Sequence, residues 1–448
     1  VSVSRGPGKE GSLDAPSRHP IDWRNPAFYD QAAVEKELER VFDICHGCRR
    51  CFSLCQAFPT LFDLVDATTS GEVSDVPKRD YGAVVDHCYL CDLCFMTKCP
   101  YVPPHEWAVD FPHLMLRAKA HKHRKHGATL GERILASPQA VGRIAGVPVV
   151  AEIVNAVNGS KLGRKVLDAA LGVDGSAPLP RYHGVSARQQ LARRKRPAIV
   201  PVATPRTSGR VALFTTCYGN HNMPDLATDL CAVFEHNGVT VDLAAREQCC
   251  GMPRMELGDL DTVAKYKEVN IPELKGLIAQ GFDIVAPIPS CVLMFKQELP
   301  LLFPEDPDVQ AVSKRIFDPF EYLWLRHEAG LLRTDFQQSL GKISYHAPCH
   351  LRVQNIGYKT RDILQLVPET RIELIERCSG HDGTYGVKKK FRAASMKIAK
   401  PVIDRVAAAG ANSYSSDCPM AGAQIGSGLS DGRAPEHPLL LLRRAYGL

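Results

Sequence analysis

Eight cysteines between residues 45 and 99 carry the densest chemistry in this chain. "CHGCRRCFSLC" holds Cys45, Cys48, Cys51 and Cys55, and "CYLCDLCFMTKC" holds Cys88, Cys91, Cys94 and Cys99. Thiolates spaced by two residues wrap a loop around one corner of an iron–sulfur cube, and the remote fourth cysteine of each run serves the other cluster of a two-cluster site. The spacing predicts one [4Fe–4S] cluster on Cys45, Cys48, Cys51 and Cys99, and a second on Cys88, Cys91, Cys94 and Cys55. A pair of zinc sites would explain the C-x2-C pairs, but not a third cysteine at the same spacing in each run. Gln56 stands where a proline is usual, and four residues rather than three separate Cys94 from Cys99.

A second set of cysteines is scattered but periodic. The segment after Arg210 alternates strands with helices, and it does so twice. In the first copy "RVALFTTC", "VTVDLA" and "FDIVAPIPSC" read as strands, followed by Cys217, by Cys249 with Cys250, and by Cys291. In the second, "KISYHAPC", "TRIELIERC" and "ANSYSSDC" lead to Cys349, Cys378 and Cys418. Strands alternating with helices imply parallel βαβ units, and such sheets gather ligands beyond the carboxyl ends of their strands. Each copy should thus bring its distant cysteines to one edge. The copies differ in one turn: "CCG" at 249–251 becomes "CSG" at 378–380.

The elements that must position these groups fall into an α+β multidomain chain. A Gly-, Pro- and Ser-rich stretch over 1–27 reads as a mobile or surface-wrapped arm. A helical domain carrying the first cysteines follows over 28–106, with "AAVEKELERVFDICHGC" as its amphipathic entry helix. Residues 107–209 form a helical connector, broken at Pro138, Pro148 and Gly172 and ending in a basic, Pro-rich linker. The two α/β repeats occupy 210–335 and 336–448. A chain of 448 residues exceeds what one core of about 250–300 residues sustains. Sixteen cysteines are too many to be incidental and too few for a disulfide scaffold of this size, and clustered cysteines of this kind read as metal-binding or redox-active.

The motifs resemble a known family. "CCGMPRMELGD", "APCHLRVQNIG", "GTYGVKKKF", "SDCPMAG" and "HPLLLLRRAYG" are similar to the CCG-domain iron–sulfur proteins. That family includes a subunit of anaerobic glycerol-3-phosphate dehydrogenase and one of heterodisulfide reductase; within it, the chain looks like proteins encoded beside rubrerythrin. The long gap between Cys55 and Cys88 resembles the α-helical ferredoxin of respiratory iron–sulfur subunits. The resemblance implies an α-helical two-cluster ferredoxin domain followed by duplicated α/β CCG domains. A full CCG domain has five cysteines, and this chain departs in both copies. The first keeps Cys217, Cys249, Cys250 and Cys291, with Met294 in the last position, which implies a third cluster. The second keeps Cys349, Cys378 and Cys418, with Ser379 and Ala421 in place of the others. There a fourth cluster is completed by His350, His381 or Ser379, or an open iron site remains for a small molecule or a partner's thiol, or the scaffold is empty.

Several function classes drop out. No phosphate-binding Gly loop, no dinucleotide fingerprint and no nucleophile–His–acid pattern is present, so hydride chemistry needs a partner. The formal charge of +6 comes without a basic–aromatic module, which argues against nucleic acid. The expectation is an electron-transfer subunit working with a flavoprotein dehydrogenase subunit or rubrerythrin; the alternative is a reductase acting on a disulfide, quinone or small acceptor at the CCG half. The N-terminal stretch lacks the apolar core of a signal peptide, so the expected location is cytoplasmic, with peripheral contact to the membrane or a quinone-bearing protein. Cys231 sits on the apolar face of a helix and reads as core. His121, His123 and His126 read as a solvated basic helix face. Lys388, Lys389 and Lys390 read as exposed, and "VVAEIVNAVNG" with "KVLDAALG" as apolar faces seeking cover.

Overall fold

The structure is a computed structural model that describes residues 16–448. It divides into two compact units: one holds the described residues up to Ala128 with Arg254–Leu260 and Leu301–Phe303, the other Thr129–Pro253, Asp261–Pro300 and Pro304–Leu448.

The first unit is helical. Helix α1 (Gln31–Cys48) starts at Asp30, whose side chain accepts from the Ala33 N–H, and buries Val34, Leu38, Val41 and Phe42 at helical spacing. It stops at Arg49, which takes the left-handed conformation. Helices α2 (Ala57–Asp66) and α3 (Tyr81–His87) fill the stretch between Cys55 and Cys88, a short α4 (Leu93–Thr97) follows, and α5 (Phe111–His126) closes the unit. Aromatic rings from four segments meet inside: Phe42 on Tyr81 at 5.1 Å and Phe58 on Phe111 at 4.7 Å. Of the arm expected over 1–27, residues 1–15 lie outside the described residues. The rest is packed rather than loose, because Ile21 and Trp23 are buried and the Trp23 indole N–H donates to the Leu302 carbonyl at 3.0 Å.

The second unit begins with helices α6 (Leu130–Leu135), α7 (Pro138–Ala145), α8 (Pro148–Gly159) and α9 (Lys161–Leu171). Pro138 and Pro148, read as breaks, are helix starts; a proline at the first position gives up an N–H that had no partner anyway. These helices leave Ile144, Val149, Ile153, Leu162 and Val166 exposed. Among the described residues no single helix is long and apolar enough to cross a membrane; α7 and α8 pass that test only as a pair, bent by 111°. The basic stretch expected as a linker is held along the first repeat. It opens with α10 (Ala187–Arg193), and Arg188, Arg194 and Arg196 pair with Glu247, Glu235 and Asp242.

Both repeats are parallel sheets. The first has strands β1 (Arg210–Leu213), β2 (Thr240–Leu243), β3 (Asp283–Val285) and β4 (Ile316–Phe317) in the order β2-β1-β3-β4. The second has β5 (Lys342–His346), β6 (Arg371–Ile375) and β7 (Ser413–Ser416) in the order β6-β5-β7. Val211 pairs with both Val241 and Asp283, and Tyr345 with both Leu374 and Ser415. The helix Arg392–Ala408 covers the second sheet through Ala399, Val402, Ile403 and Val406, packed with Ile375, Tyr414 and Ile425. Each valine or isoleucine there contributes about 1.5–3 kcal/mol when fully buried.

Candidate metal centres

Among the described residues none of the sixteen cysteines forms a disulfide. In the first unit they form two groups. Burial, and then Cys51, Cys99 and Cys48, push the Cys45 thiol well above its usual range. Burial, and then Cys88 and Cys91, do the same to Cys55. Cys94 is raised by burial and then by Cys51, Cys91, Cys88 and Cys55, which also makes the two groups neighbours. Local conformation explains how the loops turn so tightly: Arg49, Leu90 and Asp92 all have positive φ. No sequence motif marks the residue that braces this region. Arg18 grips Asp92 with two N–H donors at 2.6 and 2.9 Å and Asp110 with two at 3.0 and 3.1 Å, while its guanidinium lies 4.5 Å from the Phe95 ring centre. The loop between Cys91 and Cys94 is thus tied to the start of α5.

In the first repeat the strand ends deliver Cys217 after β1, Cys249 and Cys250 after β2, and Cys291 after β3, as the parallel topology requires. Thr216, at φ 65°, caps the short helix that Cys217 opens. Gly251, at φ 104°, makes the turn after the cysteine pair, a conformation costly for any residue with a Cβ. The four thiols touch. Cys217 is raised first by contact with Cys249 and then by burial, with Cys291 adding to it. Cys250 is raised by contact with Cys249 and Cys291 and then by burial. Met294, in place of a fifth cysteine, is fully buried. Two polar residues with no motif around them hold the loop. Gln139 of α7 accepts the Cys249 N–H at 2.7 Å and donates to the Glu247 carbonyl at 2.8 Å. The buried Asn270 accepts from Gln248 N–H at 2.8 Å and donates to the Cys249 carbonyl at 3.2 Å. A cleft of about 410 Å³ reaches Cys217, with Arg143, Arg188, Arg246, His221 and Glu247 on its walls.

The second repeat follows the same plan with other side chains. Cys349 opens the helix Cys349–Arg352 after β5, Cys378 follows β6, and Cys418 caps the helix Pro419–Gly426 after β7. Gly380, the counterpart of Gly251, has φ 67°, and a Cβ there would sit 2.1 Å from the Ser395 carbonyl oxygen. Ser379 and His381 are buried, and the Cys378 sulfur accepts the Gly380 N–H at 3.3 Å. Cys418 is pushed up to about 12, chiefly by burial, with Asp382 adding to it. Burial pushes His381 down to about 4, and Arg392 adds to that. The buried His350 is hydrogen-bonded through Nδ1 to Ser290 Oγ at 2.8 Å, and Asp382 Oδ1 stands 3.8 Å from its Nε2. Ser290 precedes Cys291, so the two repeats meet beside their cysteines. Reciprocally Tyr218, next to Cys217, is raised by burial and then by Cys418 of the other repeat.

Thiols raised as Cys45, Cys55, Cys94, Cys217 and Cys250 are stay protonated when nothing compensates their charge. A bound metal reverses that, because coordination deprotonates a thiol outright, and all-sulfur donor sets suit iron–sulfur clusters and zinc. Among the described residues no three His, Cys, Asp or Glu are grouped to hold a single metal ion; the fit rests on the chemistry of the donors and on their burial. The weaker sequence signals also have places. Cys231 is buried in the core of the first repeat. His121 is hydrogen-bonded to the Tyr29 carbonyl at 2.8 Å on a helix whose Lys122 pairs with Asp86. Lys389 is exposed but pairs with Asp168 at 3.0 Å, and Lys388 is half-buried 3.8 Å from Glu132.

Comparison with known proteins bears on the two repeats. The family model for the CCG cysteine-rich domain matches residues 211–296 and 343–426, one match on each sheet. A subunit of the anaerobic glycerol-3-phosphate dehydrogenase of Escherichia coli is 28% identical over 297 residues, 66% of this chain and 72% of that protein. A subunit of the fumarate reductase (CoM/CoB) of Methanothermobacter marburgensis is 26% identical over 216 residues, 47% of this chain and 40% of its own length. An uncharacterized iron–sulfur protein of Methanocaldococcus jannaschii is 29% identical over 177 residues, 39% of this chain and 32% of its own. The chain therefore carries two CCG cysteine-rich domains and is homologous to this anaerobic glycerol-3-phosphate dehydrogenase subunit and to other iron–sulfur proteins.

Proposed function

We propose that this chain is the electron-transfer iron–sulfur subunit of an oxidoreductase, with two [4Fe–4S] clusters in a ferredoxin-like helical unit and a further cluster in the first CCG domain. It is supported by the influence of Cys48, Cys51 and Cys99 on Cys45, and of Cys88 and Cys91 on Cys55 and Cys94. In the first CCG domain Cys217, Cys249, Cys250 and Cys291 offer a third donor set. Clusters held there supply one-electron transfer at potentials set by burial, by hydrogen bonds to sulfur and by charge. The protein's own contribution is to fix the donors. Arg18 ties down the loop of Cys91 and Cys94, and Gln139 and Asn270 hold the Cys249 backbone away from water. Burial of Cys88, Cys94, Cys249, Cys250 and Cys291 keeps solvent from those residues. The exposed apolar side chains of α7, α8 and α9 support a docked redox partner, a flavoprotein subunit or rubrerythrin, at the cytoplasmic membrane face or in the cytoplasm. Iron and acid-labile sulfide analysis with EPR on anaerobically purified protein tests this reading. It expects both elements and reducible cluster signals; zinc without sulfide would overturn it.

One observation favours a second reading, in which the CCG half reduces a small acceptor directly. The cleft at Cys217 has three arginines and His221 on its walls, which suits an anionic molecule. Turnover of a small anionic acceptor by the isolated chain, abolished by Arg188→Ala, would favour it; turnover only with a protein partner favours the relay.

A further inference from the structure

The second CCG domain has three of the thiols of its family pattern, and its middle turn offers another donor. His381 is buried, and neither its Nδ1 nor its Nε2 has a hydrogen-bond partner. A buried imidazole with both ring nitrogens unmet is costly, and such groups call for a specific explanation. His350 also has an unmet Nε2, yet it has a role without metal: its Nδ1 bonds Ser290 of the neighbouring domain. Its counterpart in the first repeat, Tyr218, faces the opposite site in the same reciprocal way, raised by burial and then by Cys418. His381 has no such duty. Its counterpart is Met252, so one turn exchanges a thiol for a hydroxyl at Ser379 and, two residues on, a thioether for an imidazole.

We propose that the second CCG domain binds an iron–sulfur cluster through the thiolates of Cys349, Cys378 and Cys418, with the imidazole of His381 as the nitrogen donor that replaces the thiol lost at Ser379. The three cysteines follow adjacent parallel strands in the order β6-β5-β7 and so share one edge, and His381 lies in the same turn as Cys378. Imidazole is an accepted iron ligand beside sulfur, and it raises the potential relative to an all-thiolate site. The inference rests on the reading of the chain as an iron–sulfur protein but fails separately from it.

The test is pulsed EPR on the full chain, purified without oxygen and reduced, with 15N confined to histidine. The expected result is a strong 15N coupling on one cluster. It disappears in His381→Ala and persists in His350→Ala. The double variant Ser379→Cys/His381→Met, which rebuilds the turn of the first repeat, keeps the cluster without the coupling and shifts its potential downward. Absence of histidine coupling while the other clusters are present overturns this inference alone, as does coupling that survives His381→Ala or is lost in His350→Ala. Absence of iron and sulfide altogether overturns the proposed function with it.

Discussion

The two repeats share a topology and differ in what they do with it. In each, a parallel sheet ends in loops that carry cysteines, and a glycine at positive φ turns the middle loop. The first repeat fills its edge with sulfur: Cys249 contacts Cys217 and Cys250, Cys250 also contacts Cys291, and Met294 is buried. The second repeat carries Cys349, Cys378 and Cys418 in the corresponding loops, with Ser379, His350, His381 and Asp382 beside them in sequence. The lesson is that the backbone constraint outlasts the donor set. Gly380 cannot change, because its Cβ would collide with the Ser395 carbonyl, whereas the side chain beside it can.

If the first site is an all-sulfur one, removing a single central thiol should have the largest effect in the molecule. Cys250→Ala leaves Cys249 and Cys291 without the sulfur that joins them, and the expected outcome is complete loss of the first-repeat cluster signal in EPR with the other signals intact. Retention of that signal would mean the two repeats are more alike than their donors suggest. A smaller effect is expected from Gln139→Ala. It leaves the Cys249 N–H and the Glu247 carbonyl without their partner, at a cost of about 1–3 kcal/mol, read as a lower thermal midpoint of the anaerobic protein. The change should be confined to the first site, since both of the backbone groups that Gln139 bonds belong to the Cys249 loop.

How far these sites were legible depends on the distance over which a residue acts. The strands could be read because strand-like runs recurred ahead of the cysteines in both repeats, and β1, β2, β3, β5, β6 and β7 lie where those runs stand. Strand β4 carried no signal: Ile316–Phe317 is too short to show alternation. Pro138 and Pro148 were visible as punctuation, but a proline that ends one helix and one that begins the next look alike without the neighbouring chain. The basic stretch after Ala187 looked like a linker because its partners Glu235, Asp242 and Glu247 lie more than 40 residues onward. Gln139 and Arg18 were out of reach for the same reason. They act on backbone 110 residues away and on carboxylates 74 and 92 residues away, and a lone polar side chain announces nothing of its target.

The smallest expected effect tests the seam where the repeats meet. Ser290→Ala removes the hydroxyl that holds His350 Nδ1 at 2.8 Å. A typical intramolecular hydrogen bond contributes about 0.5–1.5 kcal/mol net, so the thermal midpoint should fall only slightly. The loss is local: Gln354 still donates to the Pro289 carbonyl at 3.2 Å and to the His350 carbonyl at 2.8 Å, which keeps the two cysteine helices together. What should change is the freedom of the His350 ring, not the identity of any donor. The EPR spectrum of the first site, whose Cys291 is the neighbour of Ser290, should keep its g-values, and so should that of the second. A large spectral change at either site would show that His350 is fixed by Ser290 for a ligating role. The asymmetry between His350 and His381 would then be reversed.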